Sequence, residues 1–289
     1  MRYKIRHLTT YDYDFPVDNY QGIFCLRPLN QSNQRCDFFE LNVDPVPHAI
    51  EFRKDYFSNT KHYFSLHEAH KELKVTATSE VEVTYQHAPF INNITCIEAR
   101  NLFADNPHLK LELLQYILPS RYTGSNEEVN AFAKSCLIEN ETLWESAKRL
   151  CQKIYSEFEF KSGFSTINTP IKTILKEKKG VCQDFTHLAI ASLRSQGLAA
   201  KYVSGYLETT PPLGKEKLVG SDASHAWFTV YIPNMGWCEF DPTNNLIPSD
   251  RHIRTGFGRD YADVSPIKGI YFGVGEQKIK VEVDVTRIS

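Results

Sequence analysis

The 289-residue chain is 42% hydrophobic and 24% charged, with a formal net charge of −2; this is globular composition with room for a sizeable core and one large or two ordinary domains. The near-neutral balance and the scatter of lysines and arginines exclude the basic footprint of a nucleic-acid binder. No run of about 18 apolar residues is present, and the N-terminal residues 1–15 lack a signal-type apolar stretch, so a soluble cytoplasmic protein with no membrane partner is expected.

From Arg2 to about Tyr85 the chain alternates with period two and is rich in β-branched and aromatic residues, as in Tyr3–Thr9, Leu41–Val43 and Leu73–Thr78. Turn clusters at Asn30–Asn33, Asp44-Pro45 and Ser58-Asn59 separate these runs, and the pattern predicts an antiparallel β-sandwich. His7, His62, His67 and His70 fall at no recognisable metal-ligand spacing. Near residues 90–105 the period changes to that of helices. The pattern predicts helices over Leu111–Leu118 (ended by Pro119), Glu127–Leu137 and Leu143–Phe158, the last capped within Asn140–Thr142. We therefore expect a β domain over residues 1–95 and, over 96–289, a helical layer with a second core.

After Ser162–Pro170 comes a short helix, Ile171–Lys178. The next helix starts at Cys182, with Phe185, Leu188, Ala189 and Leu193 on one face and Gly197 at its C-terminal end. Strands follow at Tyr202–Leu207, Ala226–Ile232 and Trp237–Phe240, the last two joined by a four-residue hairpin loop, Pro233–Gly236. The polar segment Thr209–Ser221 is a candidate lid.

The seven cysteines have an odd count, irregular spacing and no CxxC pair, which in a cytosolic setting reads as free thiols. Cys182 stands apart because a helix N-terminus offers unpaired N–H groups and partial positive charge, both of which favour a thiolate. A helix-start cysteine alone is more often a small buried hydrophobe. His225 begins a predicted strand and Asp241 ends the next, so a hairpin sets them side by side. A base with its orienter, set near a thiol, has the makings of a Cys-His-Asp triad. Taken singly, His225 is an ordinary structural histidine and Asp241 an Asp-Pro turn starter. Zinc on Cys182, His225, Cys238 and Asp241 is the competing reading, but the odd step from Cys238 to Asp241 points them to opposite faces of a strand. The other six cysteines read as packing residues. Trp227 and Trp237 are core or cleft wall, Asp184 stabilises its helix start, and Arg259 with Asp260 forms an ion pair.

Gly180-Val181-Cys182-Gln183-Asp184-Phe185, Ser204-Gly205-Tyr206, Asp222–Trp227 and Gly236–Thr243 resemble the bacterial transglutaminase-like superfamily, also described as cysteine proteases with a papain-like core. Gly258–Pro266 and the closing β segment resemble it too, and Leu26–Leu29 and Asp55–Asn59 look like the β domain that precedes the core in its bacterial members. The resemblance implies an α+β fold, a β-sandwich followed by a papain-like core. By position it carries over Cys182 as nucleophile, His225 as base and Asp241 as orienter. It implies an amide-processing enzyme acting on peptide or protein through a thioester, with no cofactor or metal. Members include cross-linkers, peptidases, amidases and forms that have lost their chemistry. Hydrolysis is the preferred expectation, because water is always present and no acceptor-amine pocket is readable; amine transfer and a non-catalytic scaffold are the alternatives. The Cys182 N–H is expected to help bind an oxyanion. The substrate, the second oxyanion donor and the oligomeric state are left open.

Overall fold

A computed structural model describes residues 1–84, 93–209 and 224–288. The chain opens with five strands, β1 (Arg2–Phe24), β2 (Gln34–Asp44), β3 (Ile50–Lys54), β4 (Thr60–Leu66) and β5 (His70–Val83). Period-two alternation is plainest in β5, where every second residue from Leu73 to Val83 is buried. The long β1 serves two groups of strands. Its first half pairs with β5, which in turn pairs with β2; its second half pairs with β4, which carries β3. The strands enclose Tyr13, Tyr20, Phe24, Phe64, Leu73 and Val75.

Four helices follow: α1 (Cys96–Asp105), α2 (Pro107–Ile117), α3 (Glu127–Lys134) and α4 (Leu143–Glu157). Each starts on a side-chain cap: Thr95, Asn106, Asn126 and Thr142 accept from backbone N–H groups in their first turns. Thr142 lies in the Asn140–Thr142 stretch expected to cap α4. Helix α1 is an addition to the expected elements; its Thr95–Glu98 capping box is the local signal for it.

Next come β6 (Glu159–Phe160), α5 (Ile171–Glu177), β7 (Lys179–Gly180), α6 (Cys182–Ser195) and β8 (Ala200–Leu207), then β9 (Ser224–Ile232), β10 (Gly236–Phe240), β11 (His252–Gly258) and α7 (Tyr261–Val264). The second sheet is antiparallel in the order β10-β9-β8-β11. Helix α6 lies against it, burying Phe185, Leu188 and Ala189 in one cluster with Ala226, Phe228 and Val230. The predicted hairpin loop turns at Asn234 and Gly236, both with positive φ. The expected lid falls almost entirely in residues 210–223, outside the described residues.

Two closing strands, β12 (Ile267–Phe272) and β13 (Gln277–Arg287), return to pair with β1. Where the two sheets meet, Tyr3, Ile5, Val81, Val283 and Val285 pack with Tyr206 and Ile253. The Asp55–Asn59 turn joins them as well. Asn59 donates from Nδ2 to the Phe257 carbonyl (2.7 Å) and accepts from the Phe257 N–H (2.9 Å). No helix among the described residues is long and apolar enough to cross a membrane.

Candidate active site

The start of α6 is fixed from both sides. Lys178, in the left-handed region at φ 53°, ends α5 and turns the chain into β7. There, β7 pairs in parallel with β6, with Lys161 donating its N–H to the Gly180 carbonyl (2.9 Å). The Asp184 carboxylate reaches back to accept the Val181 N–H at 2.8 Å and is also bonded by the Ser165 hydroxyl. Asp184 thus serves the helix start as expected, and burial pushes its carboxyl above the usual range. The room is tight: a Cβ on Gly180 would lie 3.0 Å from both Cβ and Oδ2 of Asp184. Cys182 follows as the first helical residue, partly exposed.

His225 and Asp241 lie together as the hairpin geometry predicts. Nε2 of His225 donates to Oδ2 of Asp241 at 2.8 Å, both groups buried. That leaves Nδ1 as the ring nitrogen not turned onto Asp241, and Cys182 lies close enough to interact with the ring. Burial opposes protonation of His225, but hydrogen bonding and charge from Asp241 and Cys182 outweigh it and raise the imidazole to about 10.

Asp241 is held by more groups than the sequence foretold. Oδ1 accepts the backbone N–H groups of Thr243 (3.0 Å) and Asn244 (3.2 Å), the Asx turn that its Asp-Pro context suggested. Oδ2 accepts His225, the Asn244 side-chain amide (2.8 Å) and Nε2 of His252 (3.2 Å). Asp241 therefore starts the turn and also holds the His225 ring. Burial would raise this carboxyl, but its donors hold it well below the usual carboxylate range.

His252 and Asn244 were not anticipated. Asn244 carries a faint signal, since it follows Asp241 by three residues in the same turn. His252 arrives by sheet order: β11 joins the sheet beside β8, on the side away from β9. Its Nδ1 accepts the Ser249 N–H (3.3 Å), so the proton sits on Nε2, facing Asp241. Burial holds His252 below its ordinary value. Trp227, fully buried, stacks on His225 with centroids 5.8 Å apart and donates its Nε1–H to Glu239 (2.9 Å). Glu239 in turn holds Arg254 through two 2.7 Å bonds. Gln34 of β2 brackets the Arg254 backbone at N–H and C=O, both 2.8 Å.

The donor atoms of His225, Asp241 and His252 lie within 4.8 Å of one another, close enough to share a divalent cation. Both imidazole nitrogens in that set are turned onto Asp241 Oδ2 as hydrogen-bond donors. Cys238, in the zinc set weighed from sequence, pairs with Val230 in the sheet and packs on the main core, where burial pushes its thiol up to about 11. Trp237 is partly buried, with the Lys201 ammonium 3.7 Å from its ring. One expectation is corrected. Arg259 pairs with Asp263 (2.9 Å), not Asp260, because Asp260 is taken by the N–H groups of Ala262 (2.8 Å) and Tyr122 (3.0 Å) as the cap of α7.

Residues 3–82 match the family model of the bacterial transglutaminase-like N-terminal region, and residues 130–242 match that of the transglutaminase-like superfamily. An uncharacterized protein of Mycobacterium tuberculosis is 37% identical over 98% of this chain and 92% of its own length. One from Mycobacterium leprae is 32% identical over 100% and 99%. Among solved structures, a "Putative Cysteine Protease" from Cytophaga hutchinsonii shares the fold, with a TM-score of 0.78 and 23% identity over 100% of this chain and 91% of that one. With strand-rich region and core both matched, and relatives aligned over nearly their whole length, the chain belongs to the transglutaminase-like superfamily, with the N-terminal region of its bacterial branch.

Proposed function

We propose that the protein is a cysteine-dependent amide hydrolase acting on peptide or protein substrates, with Cys182 as nucleophile, His225 as acid and base, and Asp241 as orienter. The observation that carries this reading is the His225–Asp241 bond, which engages Nε2 and leaves the other face of the ring to the thiol at the start of α6. The raised proton affinity of His225, to which hydrogen bonding and charge from Asp241 and Cys182 contribute, supports its part as acid and base. In the first step the thiolate adds to the amide carbonyl, and the oxyanion that forms is met by N–H groups of the helix start. His225 then gives its proton to the nitrogen as the C–N bond breaks, releasing the amine and leaving a thioester on Cys182. Water, deprotonated by His225, adds to the thioester; the acid departs and the thiolate returns.

The test has two parts. Cys182 should be alkylated by iodoacetamide near neutral pH far faster than the other six thiols, and that advantage should vanish in His225→Ala. Five of the others are buried, and the partly buried Cys238 is held up near 11, so their slowness is expected on independent grounds. Equal labelling of Cys182 and Cys238 would end the nucleophile assignment. The wild-type protein should also cleave members of a peptide and cell-wall amide library that Cys182→Ala leaves intact. If a labelled amine is instead incorporated into a glutamine donor with no acid released, the reaction is transfer.

A further inference from the structure

A cavity of about 480 Å³ is lined by Arg121, Tyr122 and Asn126 ahead of α3, by Asn168 and Lys172 around the start of α5, and by His187 of α6. None of its lining residues is acidic. His187 follows Cys182 along the same helix by about 7.5 Å of rise. The segment between β6 and α5 passes that helix start on its way to the cavity: Ser165 bonds Asp184, and Thr166 donates its N–H to Oγ1 of Thr169 (2.9 Å), a turn that contains Asn168. His187 is 4% exposed, and its Nε2 accepts the Tyr261 N–H at 3.2 Å. Burial holds the ring near 4, so it is neutral and its one proton sits on Nδ1, where no described residue accepts it. Tyr122 stacks on His187 with centroids 5.4 Å apart, and the Arg121 guanidinium lies 5.3 Å from the Tyr122 ring. His187 also meets Tyr202 at 5.2 Å; Tyr202 and its neighbour Tyr261 both feel the charge of Cys182.

We propose, resting on Cys182 as nucleophile toward a peptide substrate, that this cavity is a subsite for a carboxylate carried by that substrate, with Arg121 pairing with the anion and the Nδ1–H of His187 donating to it. Lys172 is already engaged by Glu128 at 2.7 Å, whereas exposed Arg121 makes no ion pair with a described residue. Its planar fork suits a carboxylate. A neutral group in the cavity would leave the buried Nδ1–H without an acceptor and the guanidinium without a counter-charge, and that difference is the source of discrimination. An extended peptide advances about 3.3–3.6 Å per residue, so the helix rise from Cys182 to His187 sets the carboxylate about two or three residues from the scissile bond. A C-terminal carboxylate and an Asp or Glu side chain present the same group. The wall is open at Gly124, where an added Cβ would meet nothing within 4 Å.

Binding is read by fluorescence anisotropy on Cys182→Ala, which cannot turn over, with four hexapeptide pools bearing a neutral N-terminal fluorophore. The pools are free or amidated at the C-terminus, each with or without Asp and Glu. Pools that carry a carboxylate should bind about tenfold tighter than the amidated, acid-free pool, and the pool that gains identifies which carboxylate is read. Adding Arg121→Gln should erase the gain, and Arg121→Lys should keep part of it. Gly124→Asp, which sets a like charge in open space, should erase it too, with an unchanged melt. Equal binding of all four pools, or a gain that survives Arg121→Gln, overturns the subsite. In the wild-type protein the same preference should appear in KM and not in kcat. Cleavage indifferent to carboxylates sinks the subsite and spares the hydrolase; carboxylate-selective binding with no cleavage by the wild type sinks the hydrolase and leaves the cavity as a carboxylate site.

Discussion

At the scale of single residues, the site rests on Asp241. A carboxylate with one partner can swing; this one is bonded through both oxygens to turn N–H groups, an amide and two imidazoles. His252 is the part of that set with a separable role. It is fixed as a donor by Ser249, bonds Asp241, and lies with its ring centroid 6.1 Å from that of His225; in the proposed reaction it is a positioning residue. His252→Phe should lower kcat about tenfold, the worth of one hydrogen bond to a charged group, with KM unchanged. His252→Gln should restore most of it by returning a donor; an equal loss in both variants would reduce His252 to packing. The alkaline limb of kcat/KM should lie near pH 10, where His225 loses its proton, and not near the 6.5 of free imidazole. The nearness of Cys182, His225 and Asp241 was legible in the sequence because each sits at an element boundary that local signals mark: a glycine before a helix, and the two ends of a short hairpin. His252 was not, because strand order decides its position and no local pattern announces it.

At the scale of elements, the second sheet depends on close backbone approach. Gly205 in β8 pairs with His225 on one side and Arg254 on the other. A Cβ there would fall 2.1 Å from the Ile253 carbonyl oxygen and 2.7 Å from Cη2 of Trp227. Neither neighbour can yield, one being backbone and the other a fully buried ring stacked on His225. Gly205→Ala should therefore lower stability by about 1–3 kcal/mol and activity further than that loss explains, as Trp227 shifts; a melt within a degree of wild type would show that the strands can spread. Helices α2 to α6 were readable because apolar periodicity and end signals lie within one segment. The reach of β1 was less so: its twenty-three residues serve two groups of strands, and period-two patterning shows neither where a strand changes partners nor which later strands return to it.

At the scale of the whole molecule, acid should unfold the protein through its buried histidines. Burial, the leading cause in each, holds His7, His62 and His187 near 4, so they are neutral when folded and protonate near 6.5 when unfolded. A group with a lowered folded pKa stabilises above its unfolded value and loses that contribution as pH falls towards the folded one. The melting temperature should thus decline from about pH 6.5 towards 4. His225 adds nothing to that slope: its raised pKa gives stability that is complete below 6.5 and lost only as pH climbs towards 10. His7, bonded to Tyr206 and Thr9 at 3.0 Å each, joins the two sheets, and His7→Gln should flatten the acid decline; an unchanged slope would clear it.

The return of β13 to β1 also sets an order of events. Tyr3 finds its partner Arg287 at the opposite end of the described chain, so the first strand made is among the last to be completed. Pairings this distant in sequence are slow to close. Until β13 arrives, one side of β1 stands open with its valine-binding face bare, the kind of unpaired edge that recruits other chains. The helical layer and the α6 core, built from nearer neighbours, can settle before that edge is closed.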